Sequence, residues 1–273
     1  MPQSDRSWAQ IRALARELLH RADAGEPGLV ERLRSDVEGT IRARRDLVVV
    51  DRRPGTIVTG CRIGGAYVRR NPPALPRIVL SRTGEPRRDR FNLGHEFCHH
   101  LIDHDATLAN LLFAEPDRGH ALEEDICDSA TAYCLVRGED VDQALADHAG
   151  VTARAVRVLH ARSQGSLEVC CIALANRMAV PGHVLVCDPD PADRQCAQVR
   201  FVARGPDAER IPASGPQRSP LFDTALEAGE AAGTIQLRAG DGSHALRHVD
   251  VASVDGALVC VLAPHGHTSV GCC

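Results

Sequence analysis

The sequence predicts an α+β fold, and three observations support this prediction. Apolar residues recur at helical spacing over residues 7–44, and long helical patterns return from residue 89 onward. Short β-branched runs bounded by Gly or Pro lie between these two regions. Beyond Pro181 the pattern becomes strand-like again. We therefore expect one domain over residues 1–138, a helical segment over 139–180 and a C-terminal α+β domain over 181–273.

The first domain is expected to combine helices with a small sheet. Gly25-Glu26-Pro27-Gly28 interrupts the opening helical pattern, which predicts two helices within residues 7–44. A helix is then expected over roughly 89–104, and a second long helix over 121–137, after a loop near 116–119. Short β-branched runs predict a sheet of three or four strands at 47–50, 56–58, 66–68 and 77–80.

The remaining chain is expected to be helical over 140–178 and then to form strands. Residues 145–159 have the helix, glycine turn and second helix of a helix-turn-helix unit. Such a unit either binds DNA or packs within the protein, and packing is the expected role. A Gly/Pro/Ser-rich connector spans 206–220. The C-terminal strands are predicted at 184–187, 199–202, 234–237 and 257–262.

Composition is typical of a globular protein, and the patterning of apolar residues predicts that it lies in the cytoplasm. Hydrophobic residues make up 44% of the chain and charged residues 25%. The first twenty residues carry charges among their apolar positions, which argues against a signal peptide. No run reaches the ~18 apolar residues that a membrane span needs. We therefore expect a cytoplasmic protein, with no membrane partner, whose 11 cysteines are free thiols.

Basic charge is concentrated in the first third of the chain. Residues 1–90 hold 19 arginines against 11 acidic residues, although the whole chain has a net charge of −4. This region forms either a surface that attracts phosphate or an ordinary solvated surface. The arginines of this candidate surface are Arg42, Arg44, Arg45, Arg52, Arg53, Arg69, Arg70, Arg87, Arg88 and Arg90.

The strongest motif is His95-Glu96-Phe97-Cys98-His99 on the helix expected at 89–104. Histidines four residues apart project from one face of a helix, so His95 and His99 can bind one metal ion. Glu96 stands beside them, where a carboxylate reaches the attacking water without being a ligand. The motif therefore predicts a catalytic zinc site that hydrolyses a peptide bond, with Glu96 as the general base.

A catalytic zinc needs a third protein ligand, and Glu124 on the next helix is the best candidate. Asp128 lies four residues later, where it can hold the free ring nitrogen of a ligating histidine. Glu123 and Asp125 are rivals for the third position. His100 and His104 form another pair four residues apart, but His100 is rotated about 100° from His99 and is not expected to join the same site.

The two predicted metal-bearing segments, residues 90–101 and 124–135, resemble the ImmA/IrrE metallopeptidases. The resemblance covers roughly residues 40–180 and implies a zincin-like, gluzincin-like domain with His95, His99 and Glu124 as zinc ligands and Glu96 as catalytic base. Cys127 stands where the family has Ala, Ala130 where it has Phe, and Val136-Arg137 replaces the closing Met-Pro. These departures affect packing around the second helix and not the ligands.

The resemblance also implies a substrate and a setting. Family members cleave a helix-turn-helix transcriptional repressor after DNA damage or in mobile and phage-defence islands, and some are stimulated by single-stranded DNA. Radiation-response members carry a GAF-like sensory domain where this chain has residues 181–273. Two alternatives stay open: a DNA-binding transcriptional regulator with a structural zinc, and a general peptidase or other metal hydrolase.

The cysteines raise a further hypothesis. Cys98 lies within the HExxH motif, and a thiolate in the open zinc position would silence the enzyme until it is displaced or oxidised. A buried core cysteine is the favoured interpretation. The side chain of Cys98 leaves the helix at a different angle from that of His95, on the side away from His99. Cys61 and the terminal Cys272-Cys273 are weaker candidates.

Overall fold

The computed structural model describes residues 8–52, 64–115, 118–205, 208, 216–238 and 244–264. The chain divides into two compact units, Met1–Arg137 and Gly138–Cys273. Both helices and sheets are present, so the predicted mixture of α and β structure is confirmed. The helical segment predicted at 139–180 lies within the second unit.

The N-terminal unit opens with three helices, where the sequence predicted two. Gly28, with φ of 78°, separates the first pair at the predicted break. The second break occurs at Asp36, whose extended backbone ends one helix and whose side chain accepts a hydrogen bond from the backbone of Gly39 to cap the next. The helices are α1 (Trp8–Gly25), α2 (Leu29–Ser35) and α3 (Val37–Arg42).

A three-stranded sheet follows, formed by β1 (Val48–Arg52), β2 (Gly65–Val68) and β3 (Arg77–Ser81). The strand order is β1-β3-β2, with β1 parallel and β2 antiparallel to the central strand. Within the described residues β2 is therefore an edge strand. The strand predicted at 56–58 and Cys61 lie outside the described residues.

The unit closes with α4 (Pro86–Asp103), α5 (Ala106–Phe113) and α6 (Gly119–Leu135). Helices α4 and α6 correspond to the two predicted at 89–104 and 121–137, and α4 packs on β2, β3 and α6. Helix α5 was not predicted, although Asp105 caps its first turn by accepting from two backbone N–H groups. The loop predicted near 116–119 is described only from Arg118 onward, and Gly119 already begins α6.

The C-terminal unit begins with α7 (Gly138–Asp147), α8 (Ala153–Arg162) and α9 (Leu167–Ala175). Gly150, with φ of 130°, lies in the turn between the first two, where the glycine turn was expected. Helix α8 packs on β8 (His244–Val254) and β9 (Ala257–Pro264) through buried Ala155, Val156 and Leu159. The helix that would read DNA in a helix-turn-helix thus uses its apolar face for packing.

Six strands are found in the described part of this unit, and they form an antiparallel sheet in the order β6-β5-β4-β9-β8-β7. Leu185, Val249 and Leu258 contribute to its core, onto which Phe222 of α10 packs. Strands β6 and β8 and helix α10 were not predicted, and Cys272-Cys273 and most of the 206–220 connector lie outside the described residues. The remaining elements are β4 (His183–Pro189), β5 (Cys196–Arg204), β6 (Pro216–Arg218), α10 (Pro220–Ala228) and β7 (Glu230–Arg238).

Helix length and hydropathy bear on whether any part of the chain crosses a membrane. Among the described residues, none of the helices is both long and apolar enough to do so.

Candidate metal centre

Helix α4 carries three of the predicted site residues on a buried face. Pro86 occupies its first turn, where the missing N–H costs nothing. Because α4 packs against the sheet and α6, its residues from Asn92 to His100 are all buried, His95 and Glu96 completely so. Gly94 allows this close approach, since a Cβ there would lie 2.9 Å from the Cγ2 of Thr131 on α6.

The structure brings His95, His99 and Glu124 together. The two Nε2 atoms lie 3.2 Å apart. Glu124 reaches both rings from α6, with one carboxylate oxygen 3.4 Å from Nε2 of His95 and the other 3.3 Å from Nε2 of His99. These three residues form a group of potential ligand atoms within 4.8 Å of one another, as the sequence predicted.

The other ring nitrogen of each histidine is held by a second carboxylate. Asp128 lies 2.8 Å from Nδ1 of His95, in the role that the sequence predicted for it. Glu123 lies 2.8 Å from Nδ1 of His99. Each Nδ1 therefore donates its proton outward, which leaves each Nε2 with a lone pair that points inward.

This donor set fits a metal ion. Two imidazole lone pairs and one carboxylate face one another across 3.2–3.4 Å in a buried site. Three electron-pair donors repel one another at such distances unless a cation lies between them. Imidazole nitrogen and carboxylate oxygen are ligands that divalent transition metals accept. His95, His99 and Glu124 are thus the residues that would hold the metal.

Glu96 lies beside the ligand set in an environment that disfavours its charge. Its side chain is completely buried, and neither carboxylate oxygen makes a hydrogen bond of normal geometry to a described residue. Burial raises the pKa of this carboxyl group, and the adjacent His95 and His99 oppose that shift. A Cβ at Gly65 would lie 2.8 Å from the Oε1 of Glu96, so the glycine in β2 makes room for this side chain.

The other candidates from the sequence take different places. Glu123 is a histidine partner and not a member of the ligand group, and within the described residues Asp125 does not join that group either. His100 is buried, with Nε2 3.2 Å from Asp46 and its ring centroid 4.4 Å from that of His104. The expectation that His100 lies outside the site agrees with this arrangement.

Cys98 lies away from the metal-facing side of α4. It is buried, its sulfur is 3.5 Å from the Oγ1 of Thr131, and burial raises the pKa of its thiol. It lines an apolar cavity with Leu19, Leu33 and Cys134. The group of potential metal ligands found among the described residues contains no cysteine. The geometry therefore favours the core interpretation of Cys98.

Sequence reasoning missed three residues next to the site. Asn92, one turn before Glu96, is completely buried, and its amide makes no hydrogen bond within the described part of the chain. Burial raises the pKa of Cys127 to about 12, although a hydrogen bond with His99 opposes the shift. Gly65 touches Glu96 from β2. The sequence shows only that Asn92 and Glu96 are spaced to share a helix face. The contacts of Cys127 with His99 and of Gly65 with Glu96 depend on tertiary packing.

Comparison with known proteins identifies the domain that contains this centre. Residues 62–179 match the family model of the IrrE N-terminal-like domain. The chain is 31% identical over 136 residues to the radiation response metalloprotease IrrE of Deinococcus radiodurans, covering 49% of this chain and 41% of that protein. It is 34% identical over 125 residues to the protein of the same name in Deinococcus deserti, covering 45% of this chain and 43% of that protein. The chain thus spans less than half the length of these relatives.

A solved structure, a transcriptional regulator of Mycobacterium tuberculosis, aligns with 93% of this chain and 75% of its own at 13% identity and a TM-score of 0.49. The matched range, residues 62–179, contains His95, Glu96, His99 and Glu124. Residues 62–179 thus form an IrrE N-terminal-like domain, and the curated relatives support its similarity to the ImmA/IrrE metallopeptidases.

Proposed function

We propose that this chain is a zinc-dependent, gluzincin-like, site-specific endopeptidase that cleaves a helix-turn-helix transcriptional repressor. The observation that carries the proposal is the inward-facing set of His95, His99 and Glu124. Tetrahedral zinc with bonds of about 2.0–2.1 Å separates its ligand atoms by about 3.3 Å. The corresponding separations here are 3.2, 3.4 and 3.3 Å, so the three ligand atoms fit around a zinc ion.

The chain's own residues supply the proton transfers. When bound, zinc would polarise the scissile carbonyl and lower the pKa of the attacking water. Glu96 accepts the proton of that water and then delivers it to the departing amine. Its raised pKa suits a group that must both take and release a proton. Its oxygens are buried and make no hydrogen bond of normal geometry in the described part of the chain, which leaves them available to the reacting groups. The backbone of Tyr67 on β2 lies near enough to oppose the rise in the pKa of Glu96.

The edge strand β2 offers a place for an extended polypeptide. Its Gly65 touches Glu96, so a substrate strand added along β2 would pass next to the base. Backbone pairing at a sheet edge is a common way to bind an extended peptide. The family resemblance supplies the substrate class, a repressor whose cleavage relieves repression. The curated relatives are named for a radiation response, which supports a role in a DNA-damage or related stress or defence response.

Stimulation by single-stranded DNA is part of the proposal. Many predicted surface arginines have acidic partners, as Arg42 does with Asp51. Further arginines lie near one end of the three-stranded sheet, because β1 and β3 begin there and β2 ends there. They are Arg45, Arg69, Arg70 and Arg77, of which Arg77 was not among the predicted surface arginines. All four are exposed, and Arg69 forms an ion pair with Asp103. Such a cluster attracts phosphate, and its binding should weaken as salt rises.

The alternative of a DNA-binding regulator with a structural zinc has less support. A structural zinc is usually enclosed by four Cys or His ligands, whereas this group has two His and one Glu. On α8, Arg154 and Arg157 both form ion pairs with Glu230 of β7. The arginines that would contact DNA are therefore engaged within the C-terminal unit.

The test is incubation with the repressor encoded beside this chain's gene, with and without single-stranded DNA. Glu96→Gln should retain zinc and lose cleavage. Glu85→Gln removes an exposed acid just before the same helix and should cleave like the wild type. Cleavage by the Glu96→Gln protein would refute the proposed base, and no cleavage by the zinc-loaded wild type would refute the substrate class.

A further inference from the structure

Glu123 is the residue next to the proposed ligand Glu124, and the two contact opposite ends of one imidazole. Glu123 lies 2.8 Å from Nδ1 of His99, while an oxygen of Glu124 lies 3.3 Å from Nε2 of the same ring. The side chains of consecutive helical residues point about 100° apart around the helix axis. Glu123 and Glu124 can nevertheless reach the two nitrogens of His99, because α6 packs against α4. The His99 ring is thereby fixed from both ends.

The contact also determines which nitrogen of His99 carries the proton. A carboxylate only accepts hydrogen bonds, so Nδ1 must be the donor to Glu123. The lone pair is then on Nε2, the atom that faces His95 and Glu124. Without this acceptor the ring can place its proton on Nε2, where it would block metal binding.

The two carboxylate–imidazole couples differ in their exposure to water. The side chain of Glu123 is 18% exposed and that of His99 is 7% exposed. In the other couple, Asp128 is 48% exposed and His95 is 0% exposed. Water screens the hydrogen bond of a half-exposed acid more than that of a largely buried one. The hydrogen bond between Glu123 and His99 should therefore restrain its histidine more strongly than the one between Asp128 and His95.

We propose that Glu123 is a positioning residue that orients His99 for metal binding, and that it contributes more to metal affinity than Asp128. This inference rests on the proposed function, in which His95, His99 and Glu124 hold zinc. The proposal ranks Glu123 above Asp128 in its effect on metal affinity, and the family resemblance does not give this ranking. The two acids make hydrogen bonds of the same length and differ in their exposure to water.

The experiment is a competition titration of zinc against a chromophoric chelator, using the full chain. Glu123→Gln should raise the zinc dissociation constant by about 10- to 100-fold, and Asp128→Asn should raise it less. Glu85→Gln should leave it unchanged. The thermal midpoint of the metal-free Glu123→Gln protein should match that of the metal-free wild type. A residue that only positions His99 changes metal affinity, whereas a residue with a structural role would change the stability of the fold.

The outcomes separate this inference from the proposed function. A wild type that binds no zinc would refute the proposed function. A wild type that binds zinc, together with a Glu123→Gln protein that binds equally well or loses less than Asp128→Asn, would overturn the inference alone. If Glu123→Gln does not fold, ¹⁵N NMR of the metal-free wild type decides. His99 protonated at Nδ1 supports the role, and protonation at Nε2 overturns it.

Discussion

The close approach of α4 and α6 at Gly94 makes a quantitative prediction. A Cβ at this position would lie 2.9 Å from the Cγ2 of Thr131, whereas non-bonded carbons prefer about 3.5–4.0 Å. Gly94→Ala therefore requires the two helices, or the Thr131 side chain, to move by roughly 0.6 to 1 Å. Because Thr131 is completely buried and contacts Cys98, it has little freedom to rotate away.

The displacement should affect stability and metal binding together. Overpacking of a core costs about 1–3 kcal/mol, and we expect a loss of this size in the free energy of unfolding of Gly94→Ala. The same movement separates the histidines of α4 from Glu124 of α6. Since these atoms now lie 3.3–3.4 Å apart, an extra 0.6 to 1 Å is large for a metal site, and we expect zinc affinity to fall by roughly tenfold or more.

A double-mutant cycle tests whether the Thr131 contact is the cause. Thr131→Ala removes the Cγ2 atom and should partly rescue Gly94→Ala, with a coupling energy of about 1–2 kcal/mol in urea unfolding of the metal-free protein. Gly25→Ala is the matched control, because a Cβ there meets no atom within 4 Å. The reasoning is refuted if Gly94→Ala retains wild-type stability and zinc affinity, or if the double variant shows simple additivity.

Three further predictions concern Gly65, Asn92 and Arg82. Gly65→Ala should displace Glu96 and lower kcat for repressor cleavage by roughly 10- to 100-fold with zinc affinity retained, and an unchanged kcat would contradict the contact. Asn92→Leu removes a buried amide with no hydrogen bond in the described region, so urea unfolding should show equal stability or a gain of up to about 2 kcal/mol, and a clear loss would show that the amide is satisfied. The hydrogen bond from Arg82 lowers the pKa of Glu38, so this pair stabilises the fold above the ordinary carboxyl pKa and loses that contribution as pH falls through the lowered pKa of Glu38. Arg82→Ala should thus cost about 1 kcal/mol or less at pH 7 and a smaller amount at pH 3, whereas a constant difference across that range would exclude this origin.

The two site helices were predictable because the helical repeat itself places their ligands. His95 and His99 share a face of α4 through their spacing alone, and Asp128 follows Glu124 by the same interval on α6. The choice between Glu123 and Glu124 was not decided by spacing. It depends on how α6 is rotated against α4, which tertiary packing sets. The interval from Glu124 to Asp128 favoured Glu124 without excluding its neighbour, and the resemblance to a family favoured it as well.

The elements that sequence reasoning missed have physical explanations as well. Strand β8 alternates buried Val249 and Val251 with polar His248 and Asp250, but its start is polar and it lacks a continuous β-branched run. Asp250 accepts a hydrogen bond from the first turn of α8, a role that explains a carboxylate in a central strand and that no local pattern reveals. Helix α5 has only eight residues, too few for its periodicity to stand out.

The buried face of α4 shows where folding and function make different demands. Asn92 and Glu96 lie four residues apart, both are completely buried, and neither side chain makes a hydrogen bond of normal geometry to a described residue. A buried polar group without a partner costs about 1–3 kcal/mol, so apolar residues at both positions would make a more stable helix. Neighbouring positions such as Leu93 and Phe97 follow that rule. Within α4 this cost falls on the turn that precedes and contains the HExxH motif, which is expected if these polar atoms serve a reaction and not the fold.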